Sequence, residues 1–457
     1  MPYFSPERAS ATPIHPVTAS GLKPWLAKQP VTLRNWVSAQ NFVARPDTAL
    51  VVPGKNGHVA CVLAGVEGPG LWALAHLPAV IPAGDYRVVS DWSDDGLRKA
   101  AVGFALAQYQ YTRYRAQERK NIHLCLPKSI DRAGLVRRVE AHALVRDLIN
   151  TPPNDMGPVA LAEAAKQVAE RIGAKYRVIV GEALLKQNYP AIHAVGRAAE
   201  EAPRLIELTH GKKTDPLVVL VGKGVTFDTG GLDLKPYASM KLMKKDMGGA
   251  ALMLGLAQWI VEEKLPIRLR VLIPAVENSV SGNAFRPQDI LQSRKGLTIE
   301  IGSTDAEGRL ILADALADGD EDKPDLMIDA ATLTGAARTA LGTELPAMFC
   351  NRDDVAHDLL AAAERAQDPL WRLPLWKGYA KYVNSPIADV TNSPNYGFAG
   401  SITAALFLER FVSPTTPWIH LDTYAWNGES LPGRPAGGEA LGLRALFSFL
   451  HARYAVA

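Results

Sequence analysis

Residues 217–231 read LVVLVGKGVTFDTGG, an unbroken apolar run followed at once by a glycine-rich segment that carries Lys223 and Asp228. The apolar run predicts a buried strand, and stretches of helical and extended character alternate around it. The predicted helices are 161–172, 249–263 and 310–318, and the predicted strands are 205–208, 217–221, 267–273 and 326–330. Alternation of this kind predicts an α/β fold, a mostly parallel central sheet covered by helices. Ligand sites in such sheets lie beyond the carboxyl ends of the strands, where residues 223–228 and 332–335 fall.

The sequence pattern in the first third of the chain predicts a smaller α/β domain. Two apolar runs flank the turn-forming residues 53–57, which indicates a hairpin, and a helical stretch over 97–114 precedes a strand over 122–126. An amphipathic helix from 131 to 149 stops before the double proline at 152–153. At 457 residues the chain exceeds the usual size of one core. We therefore expect an N-terminal α/β domain (1–130), a linker helix (131–151) and a larger C-terminal α/β domain (152–457).

A second polar segment, residues 303–310 (STDAEGRL), places Asp305, Glu307 and Arg309 at alternating positions. Alternate side chains share a face in an extended backbone, whereas positions two apart diverge on a helix. The spacing therefore predicts a strand end or loop from which all three side chains converge. Two carboxylates beside one guanidinium suit a cation or cation cluster together with an anionic group.

Four carboxylates come from three separate segments: Asp228, Asp246, Asp305 and Glu307. Each buried, unpaired charge would cost several kcal/mol, and two divalent cations would neutralise such a set. In the alternative interpretation, Asp246 caps the helix that begins near Gly248, and the other carboxylates form surface ion pairs.

These segments resemble the leucine aminopeptidase family, the cytosolic dinuclear metal exopeptidases. Residues 222–231 match the family pattern G-K-G-x-T-F-D-[ST]-G-G, and Lys235-Pro236 matches its K-P lysine. Residues 243–249 match M-K-x-D-M-x-G, and residues 303–310 match N-T-D-A-E-G-R-L except that Ser303 replaces Asn. The resemblance covers roughly the C-terminal two-thirds. Because a hydroxyl and an amide can both satisfy a backbone group, we expect Ser303 to alter geometry slightly and to preserve activity.

The resemblance implies two divalent metal ions per chain, Mn²⁺ or Zn²⁺, which share a water that attacks the peptide carbonyl. Asp228 and Glu307 would bridge the two ions, Asp305 would serve the first, and Lys223 and Asp246 the second. An amine coordinates only when it is neutral, so the cations would have to lower the pKa of Lys223. Without metal, a lysine between two glycines would instead be an anion-binding residue.

Further roles follow from the same resemblance. Lys235 corresponds to the lysine that stabilises the oxyanion, and Arg309 to the arginine that holds a bicarbonate-like general base. The residues that correspond to the pocket for the first side chain, with a preference for Leu-like residues, are Met243, Thr332, Leu333 and Gly335. The alternatives are a solvated loop lysine, a salt bridge from the arginine to an internal carboxylate, and helix-core packing of the methionine. His420 and Asp422 lie in an apolar run and are not taken as metal ligands.

Composition excludes several other classes of protein. A net charge of +3 gives no support for a dedicated nucleic-acid surface, and the absence of His-x-x-x-His and Cys-x-x-Cys patterns disfavours finger and zincin sites. The cysteines Cys61, Cys125 and Cys350 lie apart in apolar segments, as expected of reduced thiols. Residues 1–30 lack the apolar core of a signal peptide, and no apolar run is long enough to span a bilayer. We expect a cytoplasmic protein without a membrane partner.

The leading functional prediction is a dinuclear metal aminopeptidase acting on short peptides, assembled as a homohexamer as the resemblance implies. The enzymatic alternative is a broad amidase or a dipeptidase. A DNA-binding regulator is the non-enzymatic alternative, which the near-neutral charge disfavours except as a secondary role.

Overall fold

In the computed structural model, which describes residues 3–118 and 120–455, the chain divides between two units. The first unit contains the residues up to Ala143 together with Glu429–Ala436, and the second contains Leu144–Gly428 and the residues from Gly437 onward. This grouping differs from the predicted boundaries because a late segment, 429–436, returns to the N-terminal unit. Such a return is a tertiary contact that local sequence patterns do not encode.

The first unit is built on a six-stranded sheet with the order β1-β6-β5-β2-β4-β3, parallel except for the β3–β4 pair. Its elements are β1 (Phe4–Pro6), β2 (Thr12–Val17), α1 (Leu22–Ala27), α2 (Val31–Ala39), β3 (Ala49–Pro53), β4 (Val59–Gly65), α3 (Leu77–Val80), β5 (Gly84–Val88), α4 (Asp94–Leu106) and β6 (Ile122–Leu126). The long helix α5 (Arg132–Asn150) begins in this unit and ends in the second. The antiparallel β3–β4 pair is the predicted hairpin. Helix α4 ends before the predicted limit at residue 114, because three tyrosines and a threonine follow and form helix less readily than the alanines of α4.

The second unit holds a nine-stranded sheet and the remaining helices. Its elements are α6 (Pro158–Ile172), β7 (Lys175–Val180), α7 (Glu182–Lys186), α8 (Pro190–Gly196), β8 (Arg204–His210), β9 (Leu217–Gly222), β10 (Gly224–Asp228), α9 (Tyr237–Met240), α10 (Gly248–Glu262), β11 (Arg268–Asn278), β12 (Ile290–Gln292), β13 (Thr298–Glu300), α11 (Glu307–Glu321), β14 (Leu326–Ala331), α12 (Gly335–Leu341), β15 (Ala347–Cys350), α13 (Asp353–Ala366), β16 (Trp371–Arg372), β17 (Val390–Thr391), α14 (Gly400–Glu409), β18 (Trp418–Asp422), β19 (Trp426–Asn427), β20 (Gly437–Gly438) and α15 (Leu443–Tyr454).

The strand order of the large sheet is β16-β15-β18-β14-β9-β11-β8-β7, with β10 beside β11. Its centre, β18-β14-β9-β11, is parallel, and Val219 of β9 lies between Met327 of β14 and Arg270 of β11. Antiparallel pairs occur towards the edges, at β15–β18, β11–β8 and β8–β7. All residues of β9 are buried, as expected of a central parallel strand covered on both faces. The predicted α/β fold with a mostly parallel sheet is confirmed.

Helices α10 and α11 are buried along most of their length. Trp259 of α10 stacks on Phe447 of α15 with ring centroids 3.8 Å apart. Burial of such aromatic side chains fixes these helices against the sheet, and with them the segments that precede their N-termini. Within the described residues, no helix combines the length and apolarity needed to cross a membrane.

Candidate metal centre and active site

The predicted site residues lie where the parallel strands end. Lys223 follows β9 directly, Asp228 is the last residue of β10, and Thr332 follows β14. Because β10, β9 and β14 belong to the parallel part of one sheet, their carboxyl ends share one rim. The expectation that both clusters reach this rim is confirmed.

The prediction of a strand end or loop for residues 305–309 is right at Asp305 and wrong from Glu307 onward. Thr304 and Asp305 form a turn, and Glu307 begins α11, so Glu307 and Arg309 lie on a helix rather than on an extended segment. The carboxylates converge nonetheless, since ligand oxygens of Asp228, Asp305 and Glu307 lie within 4.8 Å of one another. A turn followed by a helix N-terminus brings them together, rather than an extended strand end or loop over the whole segment.

Ser303 shapes the turn that presents Asp305. Its hydroxyl donates to the Asp233 carboxylate at 3.0 Å and accepts the backbone N–H of Asp305 at 3.1 Å. The carboxylate of Asp233 also accepts the N–H of Thr304 at 2.7 Å. The hydroxyl therefore satisfies a backbone N–H group in this loop, as an asparagine amide oxygen at position 303 is also expected to do.

Two asparagines that sequence reasoning missed hold the same loop. The buried side chain of Asn392 accepts the Gly302 N–H at 2.8 Å and donates to the Ser303 carbonyl at 2.7 Å. Asn278, at the end of β11, donates to Asp228 at 2.8 Å and to the carbonyl of residue 304 at 3.1 Å. The strand-end rule could have found Asn278, whereas nothing in the local sequence distinguishes Asn392.

Two lysines lie among the carboxylates. The ammonium of Lys223 is 2.8 Å from Asp246 and 2.9 Å from Glu307. The ammonium of Lys235 is 2.8 Å from Asp228 and also contacts Asp305. The four carboxylates are thus arranged around two positive charges, and Lys235 is mostly buried rather than a solvated loop lysine.

Gly308 makes room for one of these lysines. A Cβ at this position would lie 2.4 Å from Cε and 2.6 Å from Nζ of Lys223. Any larger residue would therefore push the amine away from Glu307. The glycine of the DAEGR segment has a packing role that motif matching alone does not reveal.

Negative charge is in excess here. Burial, reinforced by Asp228 and Asp246, raises the pKa of Glu307 to about 8. Burial and Asp228 likewise raise the pKa of Asp305. For Lys223, burial lowers the pKa, but the surrounding carboxylates outweigh burial and raise it above its ordinary value. Burial is the largest cause of both carboxyl shifts, and the neighbouring like charges add to it, so a nearby positive charge would favour the ionised forms.

The donor set fits divalent cations. Carboxylate oxygens are hard ligands, and carboxyl groups with a raised pKa, here Asp305 and Glu307, gain from an added positive charge. The alternative role of Asp246 as a helix cap is wrong, because the N-cap of α10 is Met247 and makes no side-chain cap. Asp246 instead accepts the hydroxyl of Thr332 at 2.6 Å and pairs with Lys223.

A cavity of about 370 Å³ adjoins the carboxylate cluster. All of the predicted site residues except Arg309 line it, including Met243, Leu333 and Gly335. The residues of its wall that were not predicted include Lys245, Thr334, Arg338, Asp422 and Tyr424. Met243 therefore faces a cavity rather than packing only within a helix core.

Arg309 is buried on the first turn of α11 beside the cluster. Its Nη1 donates to the backbone carbonyl of Asn392 at 2.6 Å, and its Nε has no hydrogen-bond partner among the described residues. Burial lowers the pKa of Arg309 to about 10, against the opposing influence of Glu307 and Asp422. The alternative salt bridge to an internal carboxylate is not among the ion pairs of the described residues.

His420 and Asp422 have other partners than the carboxylate cluster. The buried ring of His420 contacts Asp329 through Nδ1 at 2.6 Å. Asp422 accepts the N–H groups of Leu333 and Thr334 at 3.0 and 3.2 Å. Asp422 thereby fixes the loop between β14 and α12, and it was not predicted to be a metal ligand.

Comparison with known proteins agrees with this geometry. The catalytic domain of the cytosol aminopeptidase family matches residues 143–447, and the N-terminal domain of the M17 aminopeptidases matches residues 12–127. A probable cytosol aminopeptidase of Syntrophotalea carbinolica is 42% identical over 403 residues, which are 84% of this chain and 78% of that protein.

Two solved structures extend the likeness. The crystal structure of cytosol aminopeptidase from Coxiella burnetii superposes with a TM-score of 0.95 at 46% identity, covering 98% of each chain. The bottromycin maturation enzyme BotP in complex with Mn has a TM-score of 0.88 at 34% identity, covering 97% of this chain and 100% of BotP. The resemblance found in the motifs is confirmed over both units of the chain.

Proposed function

Because the chain belongs to the cytosol aminopeptidase family, a family of metal-dependent aminopeptidases, we propose that it releases N-terminal residues from short peptides at the cavity described above. The observation that carries the proposal is the convergence of Asp228, Asp305 and Glu307, with Lys223 and Asp246 adjacent. The cavity gives a substrate access to these groups.

We assign the metal ligands from the same arrangement. Asp228, Asp305 and Glu307 would hold one divalent ion, and Lys223 and Asp246 would complete a second position that shares Asp228 and Glu307. Two such ions would activate a water molecule and polarise a peptide carbonyl. The raised pKa of Glu307, about 8, supports the assignment, because this carboxylate needs added positive charge to ionise at neutral pH. BotP, a structural relative, has been solved with Mn, which favours Mn²⁺ as the first ion to test.

Lys235 is the proposed oxyanion stabiliser. Its ammonium lines the cavity and contacts Asp228 and Asp305, so it lies beside the groups that border the reacting carbonyl. Its N–H groups can donate to a carbonyl oxygen as negative charge develops there. Burial lowers the pKa of Lys235, but the carboxylates outweigh burial and raise it, so the side chain stays cationic at neutral pH.

Arg309 is the proposed holder of a bicarbonate-like anion. Its guanidinium is buried, makes one hydrogen bond to Asn392, and leaves Nε unpartnered among the described residues. An anion that accepts from this nitrogen could take the proton of the attacking water. Arg309→Lys would keep the charge but remove the fork-shaped donor set, and we expect it to abolish any stimulation of hydrolysis by added bicarbonate.

Assembly as a homohexamer is proposed from the family resemblance and from exposed apolar side chains near the site. Leu234 and Tyr237 flank Lys235 and are 60% and 78% exposed. Large exposed apolar side chains beside a catalytic loop suit contact with another copy of the chain. Six chains of 49.3 kDa amount to roughly 300 kDa. Light scattering after size exclusion tests this, and a fully active monomer would refute it.

Hydrolysis of leucyl p-nitroanilide by metal-stripped protein refilled with Mn²⁺, Zn²⁺, Co²⁺ or Mg²⁺ tests the proposed activity. We expect activity to return with at least one ion, and acetylation of the substrate's amine to prevent cleavage, because a free amine can ligate metal and an amide nitrogen cannot. Equal rates on free and acetylated substrates would indicate an amidase instead. Absence of hydrolysis with every ion would refute the proposal.

A further inference from the structure

The wall of the active-site cavity carries two cations that none of the assigned roles uses. Lys245 lies on the short 3-10 helix Met243–Met247, and Arg338 lies on α12. Both approach the ring of Tyr424, with the ammonium 4.8 Å and the guanidinium carbon 5.3 Å from the ring centroid. All three side chains line the cavity.

Neither cation has an ion-pair partner in the part of the chain that the structure describes. Lys245 is only 5% exposed, so its positive charge is largely removed from bulk water. A tyrosine ring compensates part of that loss through a cation–π contact, but less than a carboxylate would. The wall therefore presents positive charge that an anionic group of a ligand can neutralise.

Two carboxylates that line the same cavity, Asp246 and Asp422, are already engaged by other donors. Asp246 is bound by Lys223 and by the hydroxyl of Thr332. Asp422 accepts two backbone N–H groups and the Thr334 hydroxyl. Neither carboxylate turns towards Lys245 or Arg338 to form a salt bridge, so the cationic wall is not an internal ion-pair network.

We propose that this wall recognises a carboxylate on the side chain of the substrate's first residue, so that N-terminal glutamate is preferred over glutamine. The inference rests on the proposed function. Met243 and Leu333 line the same cavity and offer apolar surface to the methylene groups of such a side chain. Glutamate has an apolar stem of two methylenes and a charged head, so it combines the size of a Leu-like residue with the missing counter-charge.

A substrate carboxylate could also come from the C-terminus of a dipeptide. The side chain is favoured because Lys245 and Arg338 lie in the wall that includes Met243, Leu333 and Gly335, the residues assigned to the first side chain. A dipeptide and its amide distinguish the two sources, since only the dipeptide carries a terminal carboxylate.

The experiment compares kcat/KM for glutamyl, glutaminyl and leucyl p-nitroanilides on the full-length, metal-loaded enzyme. We expect the glutamyl substrate to exceed the glutaminyl one by about tenfold or more, the effect typical of one charge-assisted hydrogen bond. Lys245→Met and Arg338→Gln should each lower this ratio at least about fivefold. Lys241→Met, an exposed neighbour outside the cavity wall, is the matched control and should leave the ratio unchanged.

Binding gives a second readout that does not depend on turnover. Free L-glutamate should bind the enzyme more tightly than L-glutamine by calorimetry, and Arg338→Gln should reduce the difference. Equal affinities, or a Glu/Gln ratio near one in the wild type, would overturn the proposal. A preference for Leu-Ala over Leu-Ala amide that Arg338→Gln abolishes would overturn it in favour of a C-terminal carboxylate. A wild-type enzyme that hydrolyses the leucyl substrate but shows no glutamate preference refutes this inference alone, whereas a wild-type enzyme that hydrolyses no substrate refutes the proposed function.

Discussion

Glu307 and Glu439 are both buried glutamates of the second unit, 1% and 3% exposed, and each lies beside a cation. Burial raises the pKa of Glu439, but Arg146 outweighs it and holds the pKa below its ordinary value. Arg146 donates to its carboxylate at 2.9 Å, Asn427 at 2.8 Å and the Ala440 N–H at 2.8 Å. This carboxylate therefore accepts hydrogen bonds from three residues, as expected of a structural ion pair.

Glu307 has the opposite surroundings. It has one cationic partner, Lys223 at 2.9 Å, which Asp246 also uses, while Asp228 adds a like charge. Burial, together with the like charges of Asp228 and Asp246, raises its pKa to about 8. Burial of a charge is common to both sites and so does not identify a functional one. The local excess of carboxylates over donors distinguishes Glu307 from Glu439 and fits the cations that we propose for this site.

Removing one carboxylate of the proposed metal site should lower kcat/KM more than any other change considered below. We expect Glu307→Ala, and equally Asp305→Ala, to lower kcat/KM by at least about a hundredfold, beyond the loss typical of an outer-sphere partner, because a metal ligand disappears. The far-ultraviolet circular dichroism spectrum should stay the same. Metal content by mass spectrometry of the purified variant gives the parallel measurement. Near wild-type activity with two ions bound per chain would show that the ligand assignment is wrong.

Glu439→Gln breaks the structural pair instead. The buried Arg146 then lacks its counter-charge, and we expect about 3–5 kcal/mol less stability in chemical denaturation, with kcat per folded molecule maintained. Because the folded-state pKa of Glu439 is lowered, its contribution is present above its ordinary pKa and is lost as pH falls through the lowered value. The variant should therefore lose less stability on acidification than the wild type. A change in kcat as large as that of Glu307→Ala would remove the contrast between the two sites.

Gly308→Ala adds one methyl group against Lys223. The clash at 2.4 Å should displace the amine from Glu307 and lower kcat/KM by about tenfold. Alanine forms helix better than glycine by about 1 kcal/mol, so α11 itself should not be weakened. The paired measurement is kcat/KM with the denaturation midpoint. Unchanged activity would mean that the position of Lys223 is not critical for the chemistry.

Ser303→Asn should have the smallest effect. Either side chain can accept the Asp305 N–H, so we expect kcat/KM to change by less than about threefold. Ser303→Ala is the matched control, since it removes both hydrogen bonds and should cost more. If Asn proved as damaging as Ala, a loop geometry specific to the hydroxyl would be indicated.

In the second unit, the sequence predicted the strands β8, β9, β11 and β14, the helices α6, α10 and α11, and the rim at which the site lies. Apolar runs such as 217–221 and 326–330 became the central strands β9 and β14, because a strand buried on both faces needs a continuous apolar run. The spacing of Asp305, Glu307 and Arg309 predicted convergence but gave the wrong backbone. Alternation cannot distinguish a strand from a turn that leads into a helix, since both can aim two side chains at one point.

What the sequence by itself determined is the fold class, the family and the set of carboxylates and lysines, because local periodicity and motif spacing are recorded along the chain. Only the tertiary structure showed that Asn278 and Asn392 hold the turn that carries Asp305. It also showed that Lys245 and Arg338 lie beside Tyr424 and form no salt bridge with a carboxylate of the described residues. These contacts join segments far apart in the chain. These contacts form only because the folded sheet brings distant strand ends together, and no local sequence pattern encodes which distant segments become neighbours.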